Sequence, residues 1–575
     1  MDRTAWIVVA LCVIGLVGWQ IYIAKQMPPR PARVNAASGQ ASPTATPKVF
    51  EASPPPAAPE TTPKTAEPAP SFAEKIETLR NSDVELRLTN RGGGIKEAVL
   101  LKQMAEKGQH VVLNSAQNAP IGAIIESRFI ETPTLAEFTA STESNSVVQF
   151  EGTTGEQVAM RKKFFFEKSP ENKDNYVIEM DVDLENRGTK PYQNGGYFVA
   201  LGSAAPIHPK DYPSYTRLVW CIDGKAKGID VGWFGSSGGF LGLGQRAARP
   251  YYQENIAGAE WVAVSNQFFT TLMAPLTAKA SSVWGRRFET EYASDQKLPA
   301  IEGALGMPGF QLQPGQTYSA RFEIYAGPKL YHRLAQLPHN EAEVMDFGIF
   351  KLVCQFLLNF MNLLHSWLGD YGLSILALTT IIKLTLWPIQ NRANRSMRQM
   401  AALSPKMQEL KEKYKDDPTR MNQELMKLYK QYGINPVGGC LPMMIQIPIF
   451  FGLFKMLGQA VELRNAKFLW VRDLSQPDTI AHLPLLGWPV NIIPLCMAAT
   501  QIWLMAMTPK TGDPTQRRVM MFTPLIFLFI CYNFAAALAL YYTAQNLFSI
   551  LQFYQNKRQP MPTLEKVAPT AKRKR

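Results

Sequence analysis

Hydrophobic positions follow two different rhythms along this chain. Up to about residue 328 they alternate with polar ones. Tyr176, Ile178, Met180, Val182 and Leu184 interleave with Glu179, Asp181, Asp183 and Glu185, a period of two that predicts a strand with one buried face. Tyr318, Ala320, Phe322 and Ile324 repeat the pattern after the Pro314-Gly315 turn. Further strands are predicted at 83–90, 96–101, 146–151, 158–166 and 261–273, and many short strands between Gly/Pro turns imply a sandwich or barrel. After about residue 345 the apolar runs become long enough for membrane-spanning helices. They are predicted at 371–390, 441–460, 485–507, 519–534 and 536–554, and an earlier run covers 5–24.

Between these regimes lie segments of other kinds. Residues 25–75 are rich in Pro, Ala, Ser and Thr and read as an extended, disordered linker. The run at 5–24 has no small-x-small cleavage site directly after it, and Leu11 stands before Cys12 where a lipoprotein would carry a small residue; it reads as an uncleaved signal anchor. In 346–369, Lys351, Gln355, Asn359 and Asn362 recur at spacings of four and three, which suits a helix lying along a membrane interface. Residues 391–435 read as an antiparallel helical hairpin with its turn at Asp416-Asp417-Pro418. Its apolar stripe, Met397, Met400, Leu403, Met407 and Leu410, fits a thin core and equally a partly exposed binding face.

Charge settles the orientation. The net charge of +13 calls for an anionic partner, membrane surface or nucleic acid. Ten Lys or Arg against five Asp or Glu lie between Arg392 and Lys430, so the positive-inside rule places the hairpin in the cytoplasm. Lys510, Arg517 and Arg518, and the tail 555–575 ending in KRKR, fall on the same side, which puts the β region outside and both termini inside.

One residue breaks the apolar rhythm. Lys383 sits within GLSILALTTIIKLTLWP (372–388), where an ammonium near mid-membrane costs about 2.5–3.5 kcal/mol. Snorkelling to the basic flank at Arg392 would need its side chain to cover nine residues of helix, about 13 Å, so a polar cavity is the better reading. Thr379, Thr380, Gln446, Thr500, Gln501, Asn533, Thr543, Gln545 and Asn546 also interrupt apolar segments, as do Pro448, Pro494 and Pro524. Each polar side chain fits a groove wall and equally a hydrogen bond that glues helices together.

Other chemistries find no support in the sequence. The six cysteines and six histidines show no metal-ligand spacing, and no Walker motif is present. Gly235 to Gly239 matches G-x-S-x-G, but FLGLGQ follows where a nucleophile elbow needs a helix.

The string Asn435-Pro-Val-Gly-Gly-Cys440-Leu-Pro-Met-Met-Ile-Gln446-Ile-Pro-Ile-Phe450 resembles the signature of the YidC insertases. DFGIFK, LGDYGLSI, VELRNAKF, WVRDLS and LALYYTAQNL agree in order, and WVAVSNQFF and YAGPK resemble the Gram-negative version with a large periplasmic domain. The resemblance implies a polytopic α-helical membrane protein with six transmembrane helices, five of them forming the insertase core, plus an all-β periplasmic super-sandwich domain (76–345) similar to sugar-mutarotase folds. It implies a bacterial inner-membrane insertase and chaperone with a positively charged groove open to cytoplasm and lipid. By motif position Lys383 is the groove's basic residue, with Thr379, Gln446, Gln501, Tyr541 and Tyr542 beside it. The family more often carries arginine there, so a bidentate carboxylate contact is lost while the charge is kept.

The implied partners are nascent membrane proteins, the Sec translocon and its accessory subunits, the ribosome through the hairpin and tail, the signal-recognition machinery and membrane lipids, but not DNA. The resemblance implies no enzyme, cofactor, catalytic residue or metal. The competing readings are a solute transporter with Lys383 as its site and a membrane-tethered carbohydrate-binding protein acting through the β domain.

Overall fold

The computed structural model describes residues 73–558 apart from short stretches at 106–107, 117–118, 128–129, 132, 145, 154–156, 167–175, 237–245, 293–295, 435–440, 484–487 and 508–513. The anchor at 5–24, nearly all of the linker, the tail from 559, Cys440 with its NPVGGC string and Ser237 of the G-x-S-x-G match lie outside the described residues.

Residues 76–328 form three antiparallel sheets. The largest runs in the order Lys225–Asp230, Arg217–Ile222, Trp261–Ser265, Phe269–Pro275, Thr317–Pro328, Val177–Asn186, Val158–Phe166, Val147–Thr153 and Thr139–Ser144. The alternation at 176–185 is realised as expected. Ile178, Met180, Val182 and Leu184 are buried, while Arg321 Nε donates to Asp181 Oδ1 at 3.1 Å and Ser319 Oγ to Asp183 Oδ1 at 2.6 Å on the solvent face. These are cross-strand pairs of the kind that fix register. A four-stranded sheet (Ile76–Arg80, Val84–Thr89, Gly94–Met104, His110–Leu113) flanks it.

The five-stranded sheet contains three long strands, Tyr192–Ala204, Ala280–Tyr292 and Gln296–Leu312, that the alternation did not reveal. Its glycines explain why. A Cβ on Gly303 would lie 2.8 Å from both Leu218 Cδ1 and Val264 Cγ1 of the facing sheet, so glycine here is required by sheet-on-sheet approach and marks no turn.

The run 261–273, expected as one strand, is two. They are joined at Asn266–Phe268, where Asn266 Oδ1 accepts from the Phe268 and Phe269 N–H groups at 3.0 and 2.8 Å. Such an Asx turn needs only one side chain. Here Ser265, Asn266 and Gln267 are all buried, so no exposed polar break announced it.

Lys162 shows how this domain treats a buried charge. It is fully buried, and its Nζ donates to the carbonyls of Gly92 (2.8 Å), Gly93 (3.0 Å) and Gly122 (3.0 Å), matching the three donors of an ammonium. Burial lowers its proton affinity, to a pKa of about 7.

The helices follow. A single turn, Tyr331–Leu334, leads to α1 (Lys351–Leu368), α2 (Tyr371–Ala402), α3 (Ser404–Lys413), α4 (Pro418–Gln431), α5 (Leu441–Leu457), α6 (Ile492–Met507), α7 (Pro514–Cys531) and α8 (Ala536–Lys557). Among the described residues, two helices are long and apolar enough to cross a membrane, Gly348–Leu368 and Tyr371–Ala402; Met444–Leu457 and Ile492–Met507 are apolar but shorter. α2 is capped by Asp370, whose Oδ1 accepts from the Leu373 N–H at 2.8 Å, and it runs on past the expected end at 390 into the hairpin. α6 begins at 492 where 485 was expected, because Thr479–His482 and Pro489–Asn491 pair as a small hairpin before it. Pro494 therefore lies in the first turn of α6, where its missing N–H costs nothing. Pro388, Pro448 and Pro524 are interior.

The α1 pattern also departs from expectation. Lys351 and Asn359 are exposed, but Asn362 turns inward, with its Nδ2 3.4 Å from Glu462 Oε1, and the exposed face carries Leu352, Phe356, Leu363 and Trp367. In the hairpin, Met400 and Met407 pack around buried Leu403, Tyr432 and Ile434, so that part of the predicted stripe is core, while Met426 of the facing helix α4, outside the stripe, is exposed.

Lys162→Met would leave three buried carbonyls without a donor, and is expected to lower stability by about 1–3 kcal/mol. Because the folded pKa lies near 7 and the ordinary lysine value is 10.5, the unfolded chain binds the extra proton between those values, and this group's contribution rises with pH across that window. Denaturation at about pH 7 and about pH 10 should show a gain for the parent that the variant lacks; equal slopes would contradict it.

Candidate functional site

Lys383 lies midway along α2, 8% exposed, among helices that supply no carboxylate: α2 and α5 to α8 contain neither Asp nor Glu. Its Nζ donates to Ser549 Oγ of α8 at 2.9 Å, and Ser549 Oγ donates onward to the Gln545 carbonyl at 3.0 Å. Gln545 Oε1 accepts from Gln446 Nε2 of α5 at 3.0 Å, and Gln446 also reaches the Tyr541 hydroxyl at 3.4 Å. The ammonium is thus held by a neutral hydroxyl, and the hydrogen bonds around it join α2, α8 and α5.

The polar contacts continue toward the hairpin. Gln552 Nε2 donates to Asn391 Oδ1 at 2.7 Å and to the Trp387 carbonyl at 3.3 Å, beside Pro388. Asn556 Nδ2 lies 3.3 Å from Asn391 Oδ1, and Arg398 Nη1 donates to the Asn556 carbonyl at 2.8 Å. Tyr541, Gln545, Ser549, Gln552 and Asn556 are spaced four, four, three and four apart. They therefore form a single stripe on α8 about 22 Å long.

Toward the β domain the surroundings turn aromatic. Tyr542 packs against Phe450 at 5.3 Å and Phe527 at 5.2 Å between ring centroids, and Phe454 meets Phe534 at 5.2 Å. The helices thus carry an aromatic layer between the Lys383 network and the β domain, and a polar stripe from Lys383 to the basic hairpin.

Of the residues singled out in the sequence, Lys383, Gln446, Tyr541 and Gln545 are joined in this hydrogen-bonded set. Thr379 is buried one turn before Lys383, but its hydroxyl donates to the Ile375 carbonyl of its own helix at 2.7 Å. Tyr542 belongs to the aromatic layer. Gln501 lies on α6 beside Thr500, whose Oγ1 accepts from Asn546 Nδ2 at 3.2 Å on a different face of α8, and no described hydrogen bond ties Gln501 to Lys383. Ser549, Gln552, Asn391 and Asn556 were not singled out; the spacing of the α8 stripe was the signal that could have found them.

Elsewhere, a cleft of about 680 Å³ in the β domain is lined by Lys75, Glu151, Arg161, Asp183, Glu185 and Arg187 among others. Arg161 pairs with Glu151 at 3.0 Å and Arg187 with Glu185 at 2.8 Å, and among the described residues lining the cleft there is no exposed aromatic ring for stacking a sugar. Gly235 follows a 3₁₀ turn, Val231–Phe234, and no strand leads into it as a nucleophile elbow requires. No cluster of His, Cys, Asp and Glu among the described residues could hold a metal ion.

Two family models match the chain: YidC periplasmic domain over residues 77–360 and 60Kd inner membrane protein over residues 363–562. The membrane protein insertase YidC of Citrifermentans bemidjiense is 30% identical over 483 residues, which cover 82% of this chain and 83% of that protein. That of Nitratidesulfovibrio vulgaris Miyazaki F is 32% identical over 392 residues, 66% of each chain. The matched stretch spans just under two thirds of the Miyazaki F relative and about half of some others. A solved structure described as an active YidC insertase with the first transmembrane domain resolved is 19% identical, covering 85% of this chain and 95% of that one with a TM-score of 0.33.

Replacing Ser549 with Leu removes the oxygen that holds the Lys383 ammonium. It is expected to lower stability in detergent by about 1–3 kcal/mol, whereas Ser549→Thr retains the hydroxyl and most of the stability. Thermal unfolding of both variants provides the check, and matching losses would remove the Lys383–Ser549 bond from the account.

Proposed function

The chain belongs to the YidC family of membrane protein insertases, inner-membrane proteins with a periplasmic domain, and from that premise we propose that it inserts nascent membrane proteins through the Lys383 seam. The observation that carries this reading is the buried ammonium with no carboxylate in any helix around it. A substrate's polar or acidic segment in hydrocarbon costs several kcal/mol per unsatisfied group. The seam offers that segment a positive charge and a row of hydroxyl and amide groups partway across the bilayer, which shortens the unfavourable path. Its polar stripe leads from the basic hairpin, and the aromatic layer lies beyond it, so entry from the cytoplasm with exit into lipid fits better than a through-channel. Burial of the substrate's own apolar helix drives the final step.

The proposal takes the run at 5–24, α2 and α5 to α8 as six spans and α1 as interfacial, its exposed Leu352, Phe356 and Trp367 meeting lipid. Both termini are then cytoplasmic. The basic hairpin and tail are the surfaces for ribosomal RNA and acidic receptors, including the signal-recognition machinery. Cooperation with the Sec translocon and its accessory subunits belongs to the same reading. Thr379, Gln446, Tyr541 and, more peripherally, Gln501 and Tyr542 would line or back the substrate path. Lysine serves at 383 because the task asks for a point charge, and among the described residues its hydrogen-bond partner is the Ser549 hydroxyl.

The test is insertion of a single-span protein with an acidic outer tail into vesicles. Lys383→Arg is expected to remain active, Lys383→Ala to lose about tenfold, equivalent to about 1.4 kcal/mol, and Lys383→Glu to be worst through like-charge repulsion. Equal activity in all four proteins would remove Lys383 from the mechanism.

A further inference from the structure

Two strings in the β domain, WVAVSNQFF (261–269) and YAGPK (325–329), lie far from Lys383 and from the charged cleft, yet they converge on one place. The Asx turn at Asn266 is fastened to the Ala205 carbonyl by Asn266 Nδ2 at 2.8 Å, and it projects Gln267 out of the sheet. Gln267 Nε2 donates to the Gly458 carbonyl at the end of α5 at 2.7 Å, while its Oε1 accepts from the Tyr212 N–H at 2.8 Å. Lys329, 1% exposed, is tied to the same turn by its backbone N–H, which donates to the Phe268 carbonyl at 2.8 Å. Its Nζ donates to Gln459 Oε1 at 3.2 Å, and Gln459 is 2% exposed.

The helix side answers with matching chemistry. The Arg464 guanidinium lies 5.1 and 5.2 Å from the ring centroids of Phe268 and Phe269, and its Nη2 donates to the Met104 carbonyl at 3.2 Å. Asn465 Nδ2 donates to the same carbonyl at 3.1 Å. Gln476 Nε2 donates to Asp211 Oδ1 at 2.9 Å, and Lys210 Nζ lies 3.1 Å from Thr479 Oγ1. The Tyr212 ring meets Phe534 in the α7–α8 turn at 6.1 Å.

The segment that receives the β domain also holds the two helices of the seam. Phe468 fills the space beside Gly372 in the first turn of α2, where a Cβ would come within 2.1 Å of its ring. The Leu474 and Gln476 carbonyls accept from the first amides of α8, Ala537 N–H at 3.0 Å and Ala536 N–H at 2.9 Å.

We infer that WVAVSNQFF and YAGPK form a latch that docks the β domain on this chain's own 458–479 segment, making the domain a fixed cap that sets the outer ends of α2 and α8. The latch is built of buried polar pairs, which require a defined geometry to be satisfied, and greasy contact alone would allow sliding. It is separate from the insertion chemistry at Lys383, and its test needs no substrate.

The experiment is a double-mutant cycle on the full chain in detergent, Lys329→Met with Gln459→Leu, read by thermal midpoint and by hydrogen exchange. Each single variant strands a buried polar partner and is expected to lower the midpoint by about 2–4 °C. The double variant replaces both partners with apolar groups and should recover most of that loss. Strictly additive losses, or single variants with unchanged midpoints, would overturn the latch. Arg464→Ala guards against misfolding of the buried variants. It is expected to speed exchange at 266–269 and around Met104 while the strand 177–186 keeps its protection, and unchanged exchange at 266–269 would also overturn it.

Discussion

An ammonium buried among helices without a single carboxylate is the constraint around which the membrane half is arranged. A charge in low dielectric must find polar company or lose its proton. Here the company is neutral: Ser549 Oγ accepts from the ammonium and donates to the Gln545 backbone carbonyl, while the Gln545 side-chain oxygen accepts from Gln446 Nε2. Neutral partners solvate without neutralising. The site therefore keeps an unbalanced positive charge, unlike a buried ion pair, whose charge is already spent internally. Lys162 in the β domain makes the contrast clear. It also has only neutral partners, but three fixed carbonyls enclose it and no polar path leads away, so its role is to pin loops together.

The direction of the seam follows from what each helix end must meet. Toward the β domain, Tyr542, Phe450, Phe527, Phe454 and Phe534 pack ring against ring in an aromatic layer. Toward the hairpin, amides and Arg398 take over and the basic loop begins. In the proposed reading the basic hairpin and Lys383 attract an anionic segment from one side, and the aromatic layer stands between the seam and the β domain. The proposed docking of the β domain fits the same logic, since the latch acts at the end of the helices opposite the hairpin.

How much of this could be read from the chain depended on whether polarity was visible at the surface of each element. The strand at 177–186 was legible because one face is wet, and Lys383 because a charge in an apolar run has few explanations. The long strands of the five-stranded sheet were hidden by glycines such as Gly303, which sequence reasoning takes for turns although packing demands them. The turn at Asn266 was hidden because its polar side chains are buried at an interface that no local pattern records. Ser549 carries no signal alone, since a lone serine in a helix is common; its place in the four-four-three-four stripe of α8 gives it meaning. Thr379 was the converse case, a threonine whose hydroxyl is satisfied by its own helix.

The identity of the residue at 383 can now be argued from its partner. Ser549 Oγ already donates to the Gln545 carbonyl, so it accepts from Lys383 with a lone pair that a water or a substrate group could fill equally well. In the proposed exchange, releasing the ammonium strands no buried donor on α8. A lysine on a flexible four-carbon stem can then turn from Ser549 to an incoming carboxylate with little reorganisation of the bundle. A guanidinium presents a rigid fork of five donors and asks for several acceptors at once. The stripe offers one hydroxyl at this level, with the Gln545 side-chain oxygen already engaged by Gln446. A single hydroxyl matches a point charge better than a fork, and in this seam that match favours lysine.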